Sequence, residues 1–403
     1  MIRRPGAFWR GGYSGKSMLK LHSNILFQLG EFTETEGSIR RIAEGSNDLV
    51  SSSRASEYLL IRSPCDQIPL GYAGYFFLEW PTGPVPSNSF HLEADLAYLR
   101  EGDVVKLNPR RNTLRVLYRS NSAHNSLLLT ERCNNSCLMC SQPPKDIDDY
   151  HLAEDEIRAI PLMSPETRSI GITGGEPTLL GPTLVEILGR LKKYLPFAAV
   201  HLLSNGRAFK DCEFAKALAD IHHPDLMIGI PLYSDIPSIH NYVVQALGAF
   251  DDAIRGIINL KSAGVRVEIR VVLHKLTYER LPDLARFISR NLTFCDHVAL
   301  MGLEMTGFAR INLDKLWIDP FDYRGELREA VEVLNRARIA VSIYNHQLCL
   351  LDPALLPFNR KSISDWKNEY MPECSQCVRK EECGGFFGSA KLRYSAHITP
   401  FRD

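Results

Sequence analysis

The chain has 403 residues, of which 45% are hydrophobic, and its 47 lysines and arginines equal its 47 aspartates and glutamates. This length allows about two or three domains with a full-sized hydrophobic core. A formal net charge of zero argues against bulk attraction to a polyanion, although a local basic patch would not show in that total. We find no run of about 18 apolar residues and no signal-like segment, so we expect a cytoplasmic protein without a membrane span.

Residues 1–122 are predicted to form a small β-rich domain. Two strand-like runs, 104–107 and 114–118, flank a polar loop and predict a hairpin. Two roles are open for such a domain. It either presents an edge strand to an extended peptide or packs as a module on the next domain, and packing is the more ordinary of the two.

Residues 123–310 alternate short strand-like runs with amphipathic, helix-like segments. The predicted strands are 127–130, 169–173, 199–204, 226–232, 266–272 and 297–303, and the predicted helices include 183–194, 249–263 and 281–291. Such alternation indicates parallel strands joined by right-handed crossovers. Six units are too few for a closed eight-stranded barrel, so we predict an α/β fold with a partial (β/α)6 barrel.

Polar and reactive groups follow the first three predicted strands, where active sites of such folds gather. The groups are the cysteine cluster Cys133, Cys137 and Cys140, the GGEP segment 174–177, and the pair Ser204 and Asn205. On the fifth predicted strand, Glu268 and Arg270 alternate with apolar residues. If the apolar face packs on helices, both side chains point into the barrel.

The C-x3-C-x2-C array of Cys133, Cys137 and Cys140 suits a [4Fe-4S] cluster. Each thiolate binds a different iron and the fourth iron is left open to an external ligand. A structural zinc site is the alternative, and it would need a fourth ligand, for which His124 and His151 are the nearest histidines.

A second cysteine cluster lies near the end of the sequence, within residues 311–403, which we predict to form a C-terminal auxiliary region. Cys374, Cys377 and Cys383 are closely spaced, and Cys349 lies upstream. Four thiolates can hold one auxiliary iron-sulfur cluster or one zinc ion. His346 rivals Cys349 as the fourth ligand.

The cysteine triplet together with GGEP resembles the radical S-adenosylmethionine (SAM) superfamily over residues 125–305. The resemblance implies that Cys133, Cys137 and Cys140 hold a [4Fe-4S] cluster whose open iron binds the methionine amino and carboxylate groups of SAM. It further implies reductive cleavage of SAM to a 5'-deoxyadenosyl radical. The residues implied in SAM binding are Gly174, Gly175, Glu176 and Pro177 near the amino group, Met139 near the adenine, and Ser204, Asn205 and Arg270 near the ribose or carboxylate. For Arg270, a core ion pair with Glu268 is the competing interpretation.

The C-terminal spacing resembles the SPASM/Twitch extension of peptide-modifying radical SAM enzymes. With "HNSLLLTERCNNSCLMCSQPPK", "GITGGEPTLL", "NHQLCLLD" and "SISDWKNEYMPECSQCVRKEECGGFF", the chain is similar to the His-Xaa-Ser system radical SAM maturases. That resemblance implies one auxiliary [4Fe-4S] cluster and a ribosomal peptide substrate with His-Xaa-Ser repeats. The implied partners are a second radical SAM protein, a small accessory protein and an electron donor such as flavodoxin or ferredoxin. Alternatives are a radical SAM enzyme acting on tRNA or in small-molecule cofactor biosynthesis, and a noncatalytic metal-binding partner subunit.

Overall fold

The computed structural model describes residues 21–29, 37–44, 54–63, 67–361 and 369–402. Residues 1–20, for which the sequence predicts no signal segment, lie outside these ranges. Residues 362–368, the stretch SISDWKN, also lie outside them. Seven strands of the described N-terminal part close into a barrel in the order β1-β5-β4-β3-β2-β6-β7. They are β1 (His22–Leu29), β2 (Ser38–Glu44), β3 (Glu57–Ile61), β4 (Gly74–Phe77), β5 (Ser89–Leu92), β6 (Val104–Asn108) and β7 (Thr113–Tyr118).

The second sheet is parallel throughout, and its strand order follows the chain. Its described strands are β8 (Asn125–Leu128), β9 (Ser169–Thr173), β10 (Ala199–Leu203), β11 (Leu226–Pro231), β12 (Arg266–Leu273), β13 (His297–Gly302) and β14 (Val341–Tyr344). The helices of the described residues are α1 (His151–Ala159), α2 (Pro182–Tyr194), α3 (Cys212–Ala219), α4 (Pro237–Val244), α5 (Ala249–Ser262), α6 (Leu281–Asn291), α7 (Gly307–Ile311), α8 (Leu313–Leu316) and α9 (Arg324–Arg336). Since each strand is added at the same edge, right-handed crossovers place the connecting helices on one face and leave a partial barrel.

All six strands predicted from the sequence are present, but the described part of the sheet has seven, so the six-unit prediction is wrong by one strand. The additional strand is β14, which follows α9 and pairs in parallel with β13. Its four residues lie in the segment predicted to be the C-terminal auxiliary region. The strand–helix alternation therefore continues for one unit beyond its predicted end.

The main core lies between the sheet and its helices. In α2, Leu184, Ile187, Leu188 and Leu191 recur at helical spacing and are fully buried, with Pro182 in the first turn, where its missing N–H costs nothing. These side chains belong to the same cluster as the sheet residues Ile170 and Ile172. No helix in the described part of the chain is long and apolar enough to cross a bilayer.

The predicted hairpin is confirmed as β6 and β7, which pair antiparallel. Every described strand of the N-terminal barrel has two neighbours, so the edge-strand role is wrong for these strands. The barrel instead packs against the larger domain. Lys106 Nζ contacts Asp155 in α1 at 2.7 Å, and the Arg41 guanidinium donates to the Leu162 carbonyl at 2.6 and 3.0 Å.

Candidate functional site

The cysteine triplet lies on the loop that follows β8, at the carboxyl edge of the parallel sheet. The GGEP segment fixes the start of this loop, since Gly175 N donates to Thr130 O and Glu176 N to Arg132 O, each at 2.7 Å. A Cβ on Gly174 would collide with the Thr130 carbonyl oxygen, and one on Gly175 with that of Arg132. Glycine is therefore required at both positions for the two loops to approach this closely.

Two further elements hold the cysteine-bearing part of the loop. Ser136 N and Leu138 N donate to carbonyls at the end of α4, at 3.1 and 2.9 Å, and Phe308 N in α7 donates to the Cys140 carbonyl at 2.8 Å. Met139 is buried in an apolar cluster with Tyr233 and Leu316. The backbone on both sides of Cys137 is thus fixed by the protein itself.

The three thiols are half-buried and electrostatically coupled. Burial raises the pKa of Cys137 to about 12, with further contributions from Cys140 and Cys133, and burial likewise raises the pKa of Cys133 to about 11. Three soft thiolate donors carried on one short loop suit an iron-sulfur cluster, whose irons would offset their charge. Among the described residues, no three histidine, cysteine, aspartate or glutamate side chains are grouped so that they could hold a metal ion. His124 precedes β8, at the opposite edge of the sheet, and His151 is exposed at the start of α1.

Glu176 is completely buried and accepts four hydrogen bonds. Its Oε1 accepts from the Thr178 amide at 3.0 Å, the Thr178 hydroxyl at 2.6 Å and the Ser204 hydroxyl at 2.8 Å, and its Oε2 accepts from Asn205 N at 2.6 Å. Burial raises the pKa of this carboxyl, and the hydrogen bonds oppose the rise. Pro177, the last residue of GGEP, is also buried. The Glu176 carboxylate links the GGEP turn to Ser204 and Asn205, which follow β10.

The structure brings Asn205 directly to the cysteine loop, because its Nδ2 donates to Asn134 Oδ1 at 2.6 Å. Two other residues at this loop were missed in the sequence. Arg207 donates to the Asn134 carbonyl at 3.1 Å and to Asn135 Oδ1 at 3.0 Å, and buried Asp149 accepts from the Thr130 hydroxyl at 2.9 Å. The position of Arg207 directly after the Ser-Asn-Gly turn could have indicated its role at this loop. No local feature of the sequence indicates the role of Asp149.

Arg270 and Glu268 lie on the concave face of β12, in the predicted orientation, and form the ion pair that competed with a SAM contact. Arg270 Nη1 donates to Glu268 Oε1 at 2.6 Å. Glu268 Oε2 accepts a hydrogen bond from His297 Nδ1 at 2.7 Å. In the neutral tautomer that carries its proton on Nδ1, the other ring nitrogen, Nε2, accepts from the Ser342 hydroxyl at 3.0 Å. His201 Nε2 lies 3.4 Å from Glu268 Oε1. Burial by itself would raise the pKa of Glu268, but both histidines and the Arg270 charge hold it well below its usual range.

The interior of the partial barrel is therefore polar across β10, β12, β13 and β14. The glycine at position 229 of β11 leaves room for the polar side chains of the neighbouring strands. A Cβ there would lie 2.8 Å from Arg270 Cδ and 3.0 Å from His201 Nε2. Arg270 keeps 26% of its side chain exposed despite the ion pair.

The four C-terminal cysteines line a single cavity, which we term the four-cysteine cavity: Cys349, Cys374, Cys377 and Cys383, in about 360 Å³. Burial raises the pKa of Cys349 and of Cys374, and neighbouring thiols contribute to both shifts. His346 does not line this cavity. Its Nδ1 donates to the Tyr344 carbonyl and its Nε2 accepts from the Tyr323 hydroxyl, both at 2.8 Å. The geometry thus groups Cys349, not His346, with the other three cysteines.

Comparison with known proteins shows a match to the Radical SAM superfamily over residues 127–288, less than half of the chain. The matched segment contains the cysteine triplet and GGEP and is similar to the radical SAM domain, a family whose members use a [4Fe-4S] cluster and SAM. The chain is 28% identical over 167 residues to the Fe-coproporphyrin III synthase of Methanosarcina barkeri, covering 39% of this chain and 38% of that protein. It is 28% identical over 193 residues to the GTP 3',8-cyclase of Aquifex aeolicus, covering 45% and 59%. The matches therefore span less than two thirds of either curated relative.

Solved structures with a similar arrangement include Streptococcus suis SuiB bound to S-adenosylmethionine, with a TM-score of 0.46 and 18% identity, covering 56% of this chain and 51% of that one. Another is native anSMEcpe with bound AdoMet and the Cp18Cys peptide, with a TM-score of 0.39 and 19% identity, covering 54% and 62%.

Proposed function

We propose that this protein is a radical SAM enzyme that reductively cleaves SAM and modifies a ribosomal peptide, a precursor with His-Xaa-Ser repeats. The observation that carries the proposal is the position of Cys133, Cys137 and Cys140 on a loop fixed against GGEP at the carboxyl edge of the sheet. When bound, the cluster and SAM supply a radical that abstracts hydrogen from the substrate. The protein's own task is to orient cofactor and substrate and to exclude water.

Of the residues proposed for SAM binding, the GGEP turn and Asn205 contact the cysteine loop. The turn 174–177 offers backbone groups for the methionine amino group, since the Glu176 carboxylate is occupied by its hydrogen bonds. Asn205 and Arg270 offer polar groups for the ribose or the carboxylate. Met139, proposed to lie near the adenine, packs with Tyr233 in a buried apolar cluster.

The four-cysteine cavity is proposed to hold one auxiliary [4Fe-4S] cluster with a complete set of thiolate ligands. Such a cluster has no open iron for substrate and would serve electron transfer or hold the C-terminal region together. We further propose a second radical SAM protein, a small accessory protein and a flavodoxin or ferredoxin as partners, on the sequence resemblance alone.

A small-molecule substrate is the second candidate. The two curated relatives are named as a synthase of Fe-coproporphyrin III and a cyclase of GTP, and each is 28% identical to this chain over the matched part. A tRNA substrate and a noncatalytic subunit have no comparable support.

The test is coexpression of the protein with a His-Xaa-Ser precursor under anaerobic conditions, followed by mass spectrometry of the peptide. We expect a mass change in the peptide that disappears when Cys133, Cys137 and Cys140 are all replaced by Ala. SAM cleavage without any change in the peptide would exclude this substrate and favour the small-molecule candidate. A wild-type protein that cleaves no SAM would contradict the enzyme assignment altogether.

A further inference from the structure

Tyr233 lies at the carboxyl edge of the parallel sheet, where it follows the end of β11 at Pro231. Its ring belongs to the same apolar cluster as Met139, and Cys137 and Leu138 of the cysteine loop pack against that cluster. Tyr233 lies outside the motifs that carry the resemblance to the radical SAM superfamily, so the sequence assigned it no role. The fold nevertheless brings it to the cysteine loop.

Two histidines surround the ring and the backbone of Tyr233. Its N–H donates to Nδ1 of His240 in α4 at 3.2 Å, and the two rings stack with centroids 5.8 Å apart and planes inclined by 22°. The ring of His274, which follows β12, lies with its centroid 6.1 Å from that of Tyr233. These contacts hold the tyrosine in one orientation without any ligand.

The hydroxyl of Tyr233 makes no hydrogen bond to any described residue. This separates it from the other buried tyrosines of the described chain, each of which bonds through its hydroxyl: Tyr58 with Ser38, Tyr75 with the Tyr72 amide, Tyr118 with Thr167 and Tyr323 with His346. Buried polar groups are normally paired, because an unpaired one loses its hydrogen bonds to water without compensation. The unpaired phenol therefore indicates a partner from outside the described chain.

A ligand can reach this hydroxyl. Nε2 of neighbouring His274 also has no partner among the described residues, but it is sealed from solvent and the whole residue is fully buried. Tyr233 is 8% exposed, and its hydroxyl oxygen is not among the sealed, unpaired atoms of the described chain. Of these two unpaired groups, Tyr233 is the one that an external molecule can meet.

The groups near the hydroxyl belong to the site described above. Burial raises the pKa of Tyr233, the thiols of Cys137 and Cys140 add to this rise, and the Arg270 guanidinium opposes it. Such influences weaken with distance, so the hydroxyl lies close to two proposed cluster ligands and to Arg270. A phenol is protonated at neutral pH and offers an O–H donor there.

We propose that Tyr233 is a further SAM-binding residue, whose hydroxyl donates a hydrogen bond to SAM bound at the open iron. SAM carries the acceptors that the phenol lacks within the described chain, since it has carboxylate and ribose oxygens and adenine nitrogens. The inference rests on the proposed radical SAM function and adds to it a residue from the end of β11. It also explains why the fold keeps a polar group unpaired in an otherwise apolar cluster.

SAM binding can be measured without turnover. We would use the full-length protein with its clusters reconstituted anaerobically and without reductant, so that SAM binds but is not cleaved, and titrate it with SAM in a calorimeter. Tyr233→Phe removes the hydroxyl and keeps the ring. Its affinity for SAM is expected to fall about tenfold, while its iron content stays at the wild-type level. Equal affinity of the wild type and the variant would overturn the proposal.

Urea unfolding separates a SAM contact from a structural role. Because the Tyr233 hydroxyl has no partner in the described chain, Tyr233→Phe without SAM should unfold at the same urea concentration as the wild type, or at a higher one. Tyr118→Phe is the matched control, since it removes a buried hydroxyl that bonds to Thr167 at 2.9 Å. This control should unfold at a lower urea concentration and bind SAM like the wild type. A lowered midpoint with unchanged SAM affinity in the Tyr233 variant would assign its hydroxyl a structural role instead.

Failure of the wider function is visible in the wild-type protein. A reduced wild type that binds SAM without cleaving it contradicts the enzyme, whereas a tenfold loss of affinity in Tyr233→Phe still supports the contact. SAM cleavage by the wild type, with equal SAM affinity in both proteins, removes the Tyr233 assignment only. A wild type that binds no SAM overturns both.

Discussion

The two cysteine sites differ in how the protein builds them. The triplet lies on one short loop, and its backbone is hydrogen-bonded to the GGEP turn, α4 and α7 of the barrel domain. The four-cysteine cavity joins Cys349, just after β14, to a segment of turns at 374–383 and is covered by residues 398–401 near the C terminus. The first site is therefore held by the scaffold, and we expect the second to depend on its metal for local order.

The largest effect is expected at the first site, where removal of the three thiols should abolish SAM cleavage without changing the fold. Replacing Cys133, Cys137 and Cys140 together by Ala should abolish SAM cleavage, because no ligands remain to present an iron to SAM. The iron content should fall from about eight to about four atoms per chain, because one of two [4Fe-4S] clusters is lost. The circular dichroism spectrum should not change, since the backbone hydrogen bonds from this loop to the GGEP turn, α4 and α7 do not involve the thiols. Residual cleavage, measured as 5'-deoxyadenosine, would end the assignment.

The opposite behaviour is expected at the second site. Cys349→Ala should damage or remove the auxiliary cluster and impair peptide modification, and hydrogen exchange should rise in residues 369–402 but not in β8–β13. Cys212→Ala is the control, since Cys212 is exposed at the start of α3. An intact second cluster in the Cys349 variant would show that this residue is no ligand. Zinc at this site in place of iron would contradict the auxiliary cluster itself.

Glu176 tests whether the first site is held by the scaffold. Glu176→Ala leaves the donors of Thr178, Ser204 and Asn205 without their buried acceptor, so we expect a loss of about 3 kcal/mol in unfolding free energy. Urea denaturation measures this loss, and faster exchange of the Thr178 and Asn205 amides locates it. Glu186→Ala, which removes an exposed pair with Arg190, should cost less than about 0.5 kcal/mol. Equal effects of the two variants would mean that Glu176 does not hold the loop.

Arg270 is expected to give the smallest effect. If its guanidinium contacts SAM, Arg270→Ala should weaken SAM binding by about 1.5–3 kcal/mol while iron content stays near normal. Calorimetric titration with SAM measures this, with Arg286→Ala as the control because Arg286 lies in exposed ion pairs on α6. Unchanged SAM affinity in a destabilised protein would assign Arg270 to the ion pair with Glu268 alone.

Local patterns in the sequence predicted most of the sheet and the cysteine motifs. Runs of apolar residues between turn signals located six strands to within a few residues, and ligand spacing identified both cysteine groups. β14 was missed because it lies within residues 311–403, which were assigned as a whole to the C-terminal auxiliary region. Closure of the N-terminal barrel was missed because it depends on pairings such as Ile25 with Leu92, which are far apart in the chain.

The polar contacts within the sites were less predictable. The link between Glu268 and His297 depends on the parallel register of β12 and β13, which places the two residues side by side. Likewise, Glu176 meets Ser204 only because β9 and β10 are neighbours. Such contacts arise from tertiary packing and leave no local signal in the sequence.

The central claim is that the triplet holds a cluster with an iron open to SAM. The most direct test is electron paramagnetic resonance of the reduced protein in which Cys349, Cys374, Cys377 and Cys383 are all replaced by Ala, so that one cluster remains. We expect its signal to change when SAM is added, because SAM would bind the open iron. A cluster signal that is the same with and without SAM would contradict the account.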